Sequence, residues 1–319
     1  MKNILVTGAS GFIGNKLVEQ LLASGLYNLT VVSRSRVNNF PSGVSLIHIE
    51  SIEKTTDWSL ALKEIDVVIH CAARVHAVND NHNEALKQFR AVNVDATMAL
   101  ASQSLASNVK RFIFISSIGV NGINNTKPFT VADEPNPAED YAISKFEAEM
   151  GLKQLLEGTN TEFVIVRPPL VYGLNAKGNF GHLFKLAQKR IPLPLGAIYN
   201  KRSLVSLDNL VDLIRICISH PKAKNQTFMV SDDHDVSTTD LVRLVAQASG
   251  KGAMLLPIPV WCLKFIASCF GRKNMATKLC DSLQVDITHT KQLLGWSPPL
   301  TIEQGIARCF EQKSNTKEV

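Results

Sequence analysis

Short apolar runs rich in β-branched residues alternate with amphipathic stretches through the first half of the chain. The runs are Asn3 to Thr7, Leu29 to Ser33, Val44 to Ile49, Asp66 to Cys71, Arg111 to Ser116 and Glu162 to Arg167. Between them, Phe12 to Ala23, Glu84 to Ser107 and Ala138 to Glu157 repeat their apolar positions at helical spacing. Strands separated by helices pair in parallel, because a parallel pair needs a crossover and crossovers are right-handed. The expected fold is therefore α/β, a doubly wound parallel sheet covered by helices on both faces, over residues 1–167. Beyond Pro168 the pattern loosens: Pro, Gly and Asn punctuate Pro168 to Tyr199, Pro257 to Pro259 and Pro298 to Pro299. Residues 168–319 are expected to form mainly a smaller C-terminal α/β substrate domain, with some segments returning to the sheet.

Composition narrows the function without choosing it. The 319 residues are 45% hydrophobic, enough for a large core, and the net charge of +6 comes from 34 basic and 28 acidic residues with no long basic run. That balance points away from a nucleic-acid surface and is compatible with an anionic small ligand. The six cysteines form no CxxC pair and no cluster with histidine, so neither a zinc site nor a disulfide framework is expected; they read as reduced thiols of a cytoplasmic protein. Met1 runs straight into a strand pattern, so no secretory leader is expected there. The most apolar later segment, Leu255 to Phe270, carries Pro257, Pro259 and Lys264 and is too short to span a bilayer. It reads first as a buried or domain-capping helix and second as a peripheral membrane contact.

The first strand opens directly into Gly8-Ala-Ser10-Gly11-Phe12-Ile13-Gly14 and a helix. Gly8 permits the tight turn, Gly11 admits a pyrophosphate against the backbone, and Gly14 lets helix and strand pack closely. Free amides at the helix start face the anion. This is the dinucleotide-binding fingerprint of a Rossmann sheet, in the right register after a first strand. At the end of the second strand, where NAD users place an acid on the adenosine ribose, the chain offers Ser33 and Arg34, with Arg36 beyond. A hydroxyl and a guanidinium suit a 2′-phosphate where a carboxylate would repel it, so NADP is favoured over NAD.

Tyr141 and Lys145 lie four apart at the start of a helical pattern and so share one face. A lysine cation favours the phenolate of a neighbouring tyrosine, which equips the phenol for proton transfer at a hydroxyl or ketone. Ser117, just past the fifth run, is placed to hold the same substrate oxygen. No internal repeat or low-complexity tract appears.

These features together resemble the extended short-chain dehydrogenase/reductases of the NAD-dependent epimerase/dehydratase group, and the likeness extends over the whole chain. By that resemblance Ser117, Tyr141 and Lys145 fall on the catalytic triad: Tyr141 is the acid/base, Lys145 binds the nicotinamide ribose, and Ser117 binds the substrate hydroxyl. His70-Cys71-Ala72-Ala73 matches the segment passing over the cofactor, and Asn93 a structural asparagine. Arg167-Pro168-Pro169-Leu-Val-Tyr-Gly173 matches the stretch under the nicotinamide. Arg202 falls where relatives hold the nucleotide diphosphate, and a guanidinium suits that ligand. Asp286, Thr288, Lys291, Leu294, Gly295, Trp296 and Pro298 resemble the closing motif of the nucleotide-sugar enzymes. Phe180 to Arg202 and Gln226 to Ser231 resemble enzymes of bacterial surface-polysaccharide synthesis, described as UDP-N-acetylhexosamine 4-epimerases or as reductases of 4-keto sugars.

Departures also inform. Ser51 replaces an aspartate that contacts adenine, and Leu170 an asparagine that binds phosphate. Ile118 and Gly119 stand where 4,6-dehydratases carry an acidic pair, and neither can exchange a proton, which argues against dehydration. The expectation is hydride transfer at C4 of a UDP-linked sugar, leaning to a 4-keto-sugar reductase because an exchanging NADPH supplies electrons, with 4-epimerase as the alternative. A non-catalytic NADP sensor is the remote third reading, since such proteins typically lose the tyrosine kept here. The resemblance also implies a homodimer built through the helices around 84–107 and 138–157.

Overall fold

A computed structural model describes residues 1–35, 40–75, 82–176, 178–187 and 191–315. Six strands arise in the first half: β1 (Lys2–Thr7), β2 (Tyr27–Ser33), β3 (Val44–His48), β4 (Val67–His70), β5 (Arg111–Ile115) and β6 (Glu162–Arg167). Between them run α1 (Phe12–Ser24), α2 (His82–Arg90), α3 (Ala96–Ala106) and α4 (Asp140–Leu156). The second half supplies β7 (Leu170–Tyr172), α5 (Gly178–Ala187), β8 (Leu204–Ser206), α6 (Leu207–Cys217), β9 (Gln226–Met229), α7 (Thr238–Ala248), α8 (Val260–Cys269), α9 (Lys273–Cys280), α10 (Thr288–Leu294) and α11 (Ile302–Asn315).

Seven strands make one sheet in the order β3-β2-β1-β4-β5-β6-β9, every pair parallel. The order reverses between β1 and β4, and in doubly wound sheets ligands bind beyond the carboxyl ends of the strands at such a point. Alternation along the strands divides the core in two. Ile4, Val6, Val31, Ile69, Ile113 and Val164 face α1 and α6 through Leu17, Leu21, Leu210 and Ile214. Leu5, Val32, Val68, Phe112, Phe114 and Ile165 face α3 and α4 through Leu100, Leu152 and Leu156. Because the side-chain period of a strand is two, both faces must be apolar, which is why these segments read as unbroken apolar runs.

A third cluster lies off the sheet, where Tyr172, Phe180, Phe184, Ile198, Val242 and Ile306 pack together, beside the two-stranded parallel pair of β7 and β8. The closing motif proves structural. The Asp286 carboxylate accepts from the Thr288 amide at 2.7 Å to start α10, Gly295 ends it in the left-handed region, and Trp296 Nε1 donates to Asp212 on α6 at 2.9 Å. The helix expected over 84–107 is not uniform: a π-helical turn at Ala91–Asp95 separates α2 from α3. Such turns are inserted where a side chain has to be re-aimed.

Candidate active site at the carboxyl edge of the sheet

The strand β1 ends in a turn whose geometry demands glycine. Gly8 has φ +68°, and a Cβ there would stand 2.6 Å from the Ala72 amide nitrogen; a Cβ on Gly14 would collide with Gly8 O. Both close approaches belong to the protein itself. Gly11 differs, since its Cβ would meet only Gly8 O, at 3.1 Å, and would otherwise project into open space. The α1 N-cap is Gly11, with no side chain accepting from the helix amides and no acid in the first turn. The cradle therefore presents unsatisfied N–H groups to a space that a side chain would fill, which suits a pyrophosphate.

That space is a cleft of about 920 Å³. Gly8, Ser10, Gly11, Phe12, Ile13 and Gly14 line it on one side, Cys71 and Ala73 above, and Ser117, Tyr141, Lys145 and Pro168 at its inner end. The volume is that of a cofactor site. Ala72, Ser33, Arg34 and Arg202 are not among its described lining. Ala72 is buried against Gly8, its amide 3.4 Å from Thr7 Oγ1. Ser33 and Arg34 stand at the carboxyl end of β2; Ser33 Oγ accepts from the Ser35 amide at 3.1 Å, and Arg34 is exposed. Arg36 lies outside the described residues. Arg202 Nη1 donates to Lys278 O at 3.0 Å and Asp281 O at 3.2 Å, at the end of α9, and burial lowers its pKa against the opposing charge of Asp281. A diphosphate would have to be met by the N–H groups those carbonyls leave over.

The inner end is built by α4. Tyr141 sits in its first turn, where the helix dipole favours an anion, and Lys145 follows one turn later. Lys145 Nζ donates to Ile115 O at 2.8 Å, lies 4.3 Å from the Phe114 ring centroid and 6.0 Å from that of Tyr141. Burial pulls this ammonium down to about 8, with the Glu149 carboxylate acting against it. Burial pushes the Tyr141 phenol up to about 12. With the protein alone at neutral pH, the phenol thus keeps its proton and the lysine stays mostly charged. A further positive charge bound beside them would lower the phenol. Ser117 Oγ accepts from the Gly119 amide at 3.1 Å, leaving its proton for another oxygen.

Sequence reasoning missed the support beneath this face. Glu149, one turn beyond Lys145, is buried and binds Arg167 Nε at 3.0 Å, Arg167 Nη2 at 2.5 Å and the Ser116 hydroxyl at 2.5 Å, while Arg167 Nη1 reaches Asn121 Oδ1 at 2.9 Å. The ends of β5 and β6 are thereby locked to the middle of α4. The spacing 141, 145, 149 was the available signal. Asn93, inside the π-helical turn, donates to Ser144 Oγ at 2.9 Å and to Arg74 O at 3.0 Å and accepts from the Arg74 amide at 2.8 Å, fixing the Cys71–Arg74 segment to α4. Lys16 and Arg308 also line the cleft, both facing Asp208, at 3.8 and 3.7 Å.

Behind the glycine turn, His70 is buried between Thr7 Oγ1 at 2.7 Å from Nδ1 and Thr97 Oγ1 at 2.9 Å from Nε2. Burial drives its pKa down to about 3, aided by the charge of Lys145. The folded protein therefore refuses a proton that the unfolded chain accepts below about 6.5, and stability falls as the pH drops from there towards 3. Between pH 7 and pH 5 this group alone is expected to remove about 2 kcal/mol. Denaturant melts at both pH values check it: His70→Gln should show a smaller loss than the parent, and equal losses would remove His70 as the cause.

The chain matches the NAD dependent epimerase/dehydratase family over residues 4–231. It belongs to that family. The members are enzymes of the short-chain dehydrogenase/reductase type. A UDP-glucose 4-epimerase of Vibrio cholerae is 47% identical over 98% of this chain and 97% of its own. An N-acetyl-α-D-glucosaminyl-diphospho-ditrans,octacis-undecaprenol 4-epimerase of Escherichia coli O157:H7 is 26% identical over 97% and 94%. The crystal structure of a UDP-glucuronic acid 4-epimerase from Bacillus cereus in complex with NAD superposes with a TM-score of 0.78 at 21% identity, covering 99% of this chain and 100% of that one, a likeness of fold. This family member thus joins the expected Rossmann-type sheet to relatives whose names favour 4-epimerisation over the reduction towards which the residues at β2 lean.

Proposed function

We propose that this chain is a 4-epimerase of a UDP-linked hexose or N-acetylhexosamine, acting through NAD(P) held in the glycine-lined cleft. The observation that carries the reading is 47% identity along nearly the whole chain to a UDP-glucose 4-epimerase. The site supports it by offering an acid/base pair without any acid beside Ser117 to expel a leaving group. Gly8, Ser10, Gly11, Phe12, Ile13 and Gly14 would hold the pyrophosphate, Cys71, Ala72, Ala73 and Pro168 would enclose the nicotinamide half, and Lys145 would hold its ribose. The bound dinucleotide supplies hydride acceptance and donation. Tyr141 takes the proton of the C4 hydroxyl while Ser117 donates to the same oxygen, and the Lys145 charge favours the phenolate. The resulting 4-keto sugar turns its other face inward, and Tyr141 returns the proton. A homodimer through the α2–α3 stretch and α4 is part of this reading.

Reduction of a 4-keto sugar is the second reading, favoured by one observation: β2 ends in Ser33 and Arg34 with no carboxylate to repel a 2′-phosphate. The two are separated by following UDP-glucose, UDP-galactose and their N-acetylated forms by NMR. Interconversion at C4 with no net consumption of reduced cofactor is expected; turnover only of a 4-keto sugar with stoichiometric loss of NADPH would replace the epimerase with the reductase. Independently, Arg34→Ala should weaken NADPH about tenfold to a hundredfold, the worth of one charge-assisted hydrogen bond, and leave NADH nearly unchanged. Equal losses for both would end the case for a 2′-phosphate contact at Arg34.

A further inference from the structure

An apolar helix with no buried side chain calls for a partner. The segment Val-Trp-Cys-Leu-Lys-Phe-Ile-Ala-Ser-Cys of α8 carries one charge in ten residues, yet none of its side chains is buried. Helices apolar on all sides normally lie inside a core or a membrane. Val260 and Leu263 touch the third hydrophobic cluster, Cys262 and Ala267 are half-buried, and the other six residues are exposed. Trp261 is 72% exposed, Phe265 67% and Phe270 76%. Of the sixteen large hydrophobic side chains exposed among the described residues, seven fall between Met254 and Met275, so the exposure is concentrated in one stretch of the chain.

Charge identifies what that surface fits. Between residues 251 and 280 there are five basic residues, Lys251, Lys264, Arg272, Lys273 and Lys278, and no Asp or Glu, so less than a tenth of the chain carries five of its six net positive charges. Lys264 pairs with Asp281 at 2.6 Å and Lys278 with Glu139 at 2.5 Å, which still leaves the surface net positive. Arg272, exposed at the end of α8, meets no carboxylate among the described residues. The surface is also held in place. The Leu193 amide donates to Met254 O at 2.8 Å, the Gly196 amide to Leu256 O at 2.9 Å, and Arg202 grips the end of α9.

From this geometry we propose that α8 and the start of α9 dock the protein on an anionic lipid bilayer. Ten helical residues span about 15 Å, half the hydrocarbon thickness, so α8 lies in the plane of the interface. No helix among the described residues is long and apolar enough to cross a membrane. Trp261, Phe265 and Phe270 enter the headgroup boundary, and Lys264 and Arg272 meet the lipid phosphates. A second copy is the poorer occupant, because an isologous contact would set this net positive surface against itself. The docking stands apart from the epimerase reading, since α8 and α9 do not line the cleft.

Co-sedimentation of the full chain with vesicles tests it. Binding is expected to vesicles containing about a third phosphatidylglycerol, to weaken as salt is raised, and to fall at least tenfold on phosphatidylcholine alone. Tryptophan emission reports the contact site: Trp58 and Trp296 are buried, so a blue shift on adding vesicles belongs to Trp261. The double variant Trp261→Glu, Phe265→Glu alters only exposed positions and should keep its fold and turnover while losing at least tenfold in vesicle binding. Equal sedimentation with and without anionic vesicles, or unchanged emission, overturns the proposal. So does a self-association that the double variant abolishes, which would assign the surface to a second copy.

Discussion

Replacing Tyr141 with phenylalanine is expected to lower turnover by about a hundredfold to ten-thousandfold, the usual contribution of a positioned general acid/base. The phenol is the one side chain of the cleft's inner end that combines a titratable proton, a place in the first turn of α4 and a cation 6.0 Å from its ring. Phenylalanine keeps the ring and its edge contact with Phe89, centroids 6.1 Å apart, so packing survives and the proton alone is removed. Cofactor affinity should change little. Lys145→Met should in addition shift the acid limb of the pH–rate profile upward, because the cation that favours the phenolate is gone. A Tyr141→Phe enzyme with turnover within a few-fold of the parent would show that another group moves the proton, and the site reading would fail with it.

How much of this was legible in the sequence follows from how local each feature is. The glycine turn is a strand-to-helix junction of seven residues, and two of its constraints, the positive φ of Gly8 and the contact of Gly14 with Gly8 O, are settled within that stretch. Tyr141 and Lys145 were readable because one helical turn sets their common face. Strand positions were readable because burial on both faces writes an apolar run, and β6 begins and ends at the residues expected, Glu162 and Arg167. What depended on distant partners was not readable. Whether Arg202 points into the cleft or to α9 is decided by carbonyls 76 and 79 residues away. The seventh strand pairs Gln226–Met229 with Val164–Arg167 across some sixty residues, and its short run carries no mark of which edge it will join. The π-helical turn at Asn93 exists to aim one amide at Arg74 and Ser144, a demand set by tertiary contacts. The segment around α8 was expected first as a buried or domain-capping helix because apolar composition says that a residue seeks an apolar partner and does not say which one.

Gly11→Asp is expected to abolish dinucleotide binding while leaving the fold intact, and the two halves of that statement have separate grounds. The fold tolerates a side chain at this position because φ is −81° and a Cβ meets only Gly8 O, at 3.1 Å, a contact relieved by a shift of a few tenths of an ångström. An aspartate at the start of α1 even gains from the helix dipole and can accept from the uncapped amides, so stability should hold or rise slightly. Those same amides are what the pyrophosphate needs. The carboxylate would occupy its place, take its donors and repel its charge, three losses acting together. Losing several charge-assisted hydrogen bonds of about 1.5–3 kcal/mol each predicts a fall in affinity beyond a thousandfold. Gly11→Ala should lie between, since a methyl group blocks close approach without adding charge or taking a donor. Calorimetric titration with NAD and NADP alongside thermal melts distinguishes the cases. A melt lowered as much as that of a Gly14→Asp control, where the clash is internal to the protein, would mean that Gly11 serves packing. A folded Gly11→Asp protein that still binds either dinucleotide would place the pyrophosphate somewhere other than the start of α1.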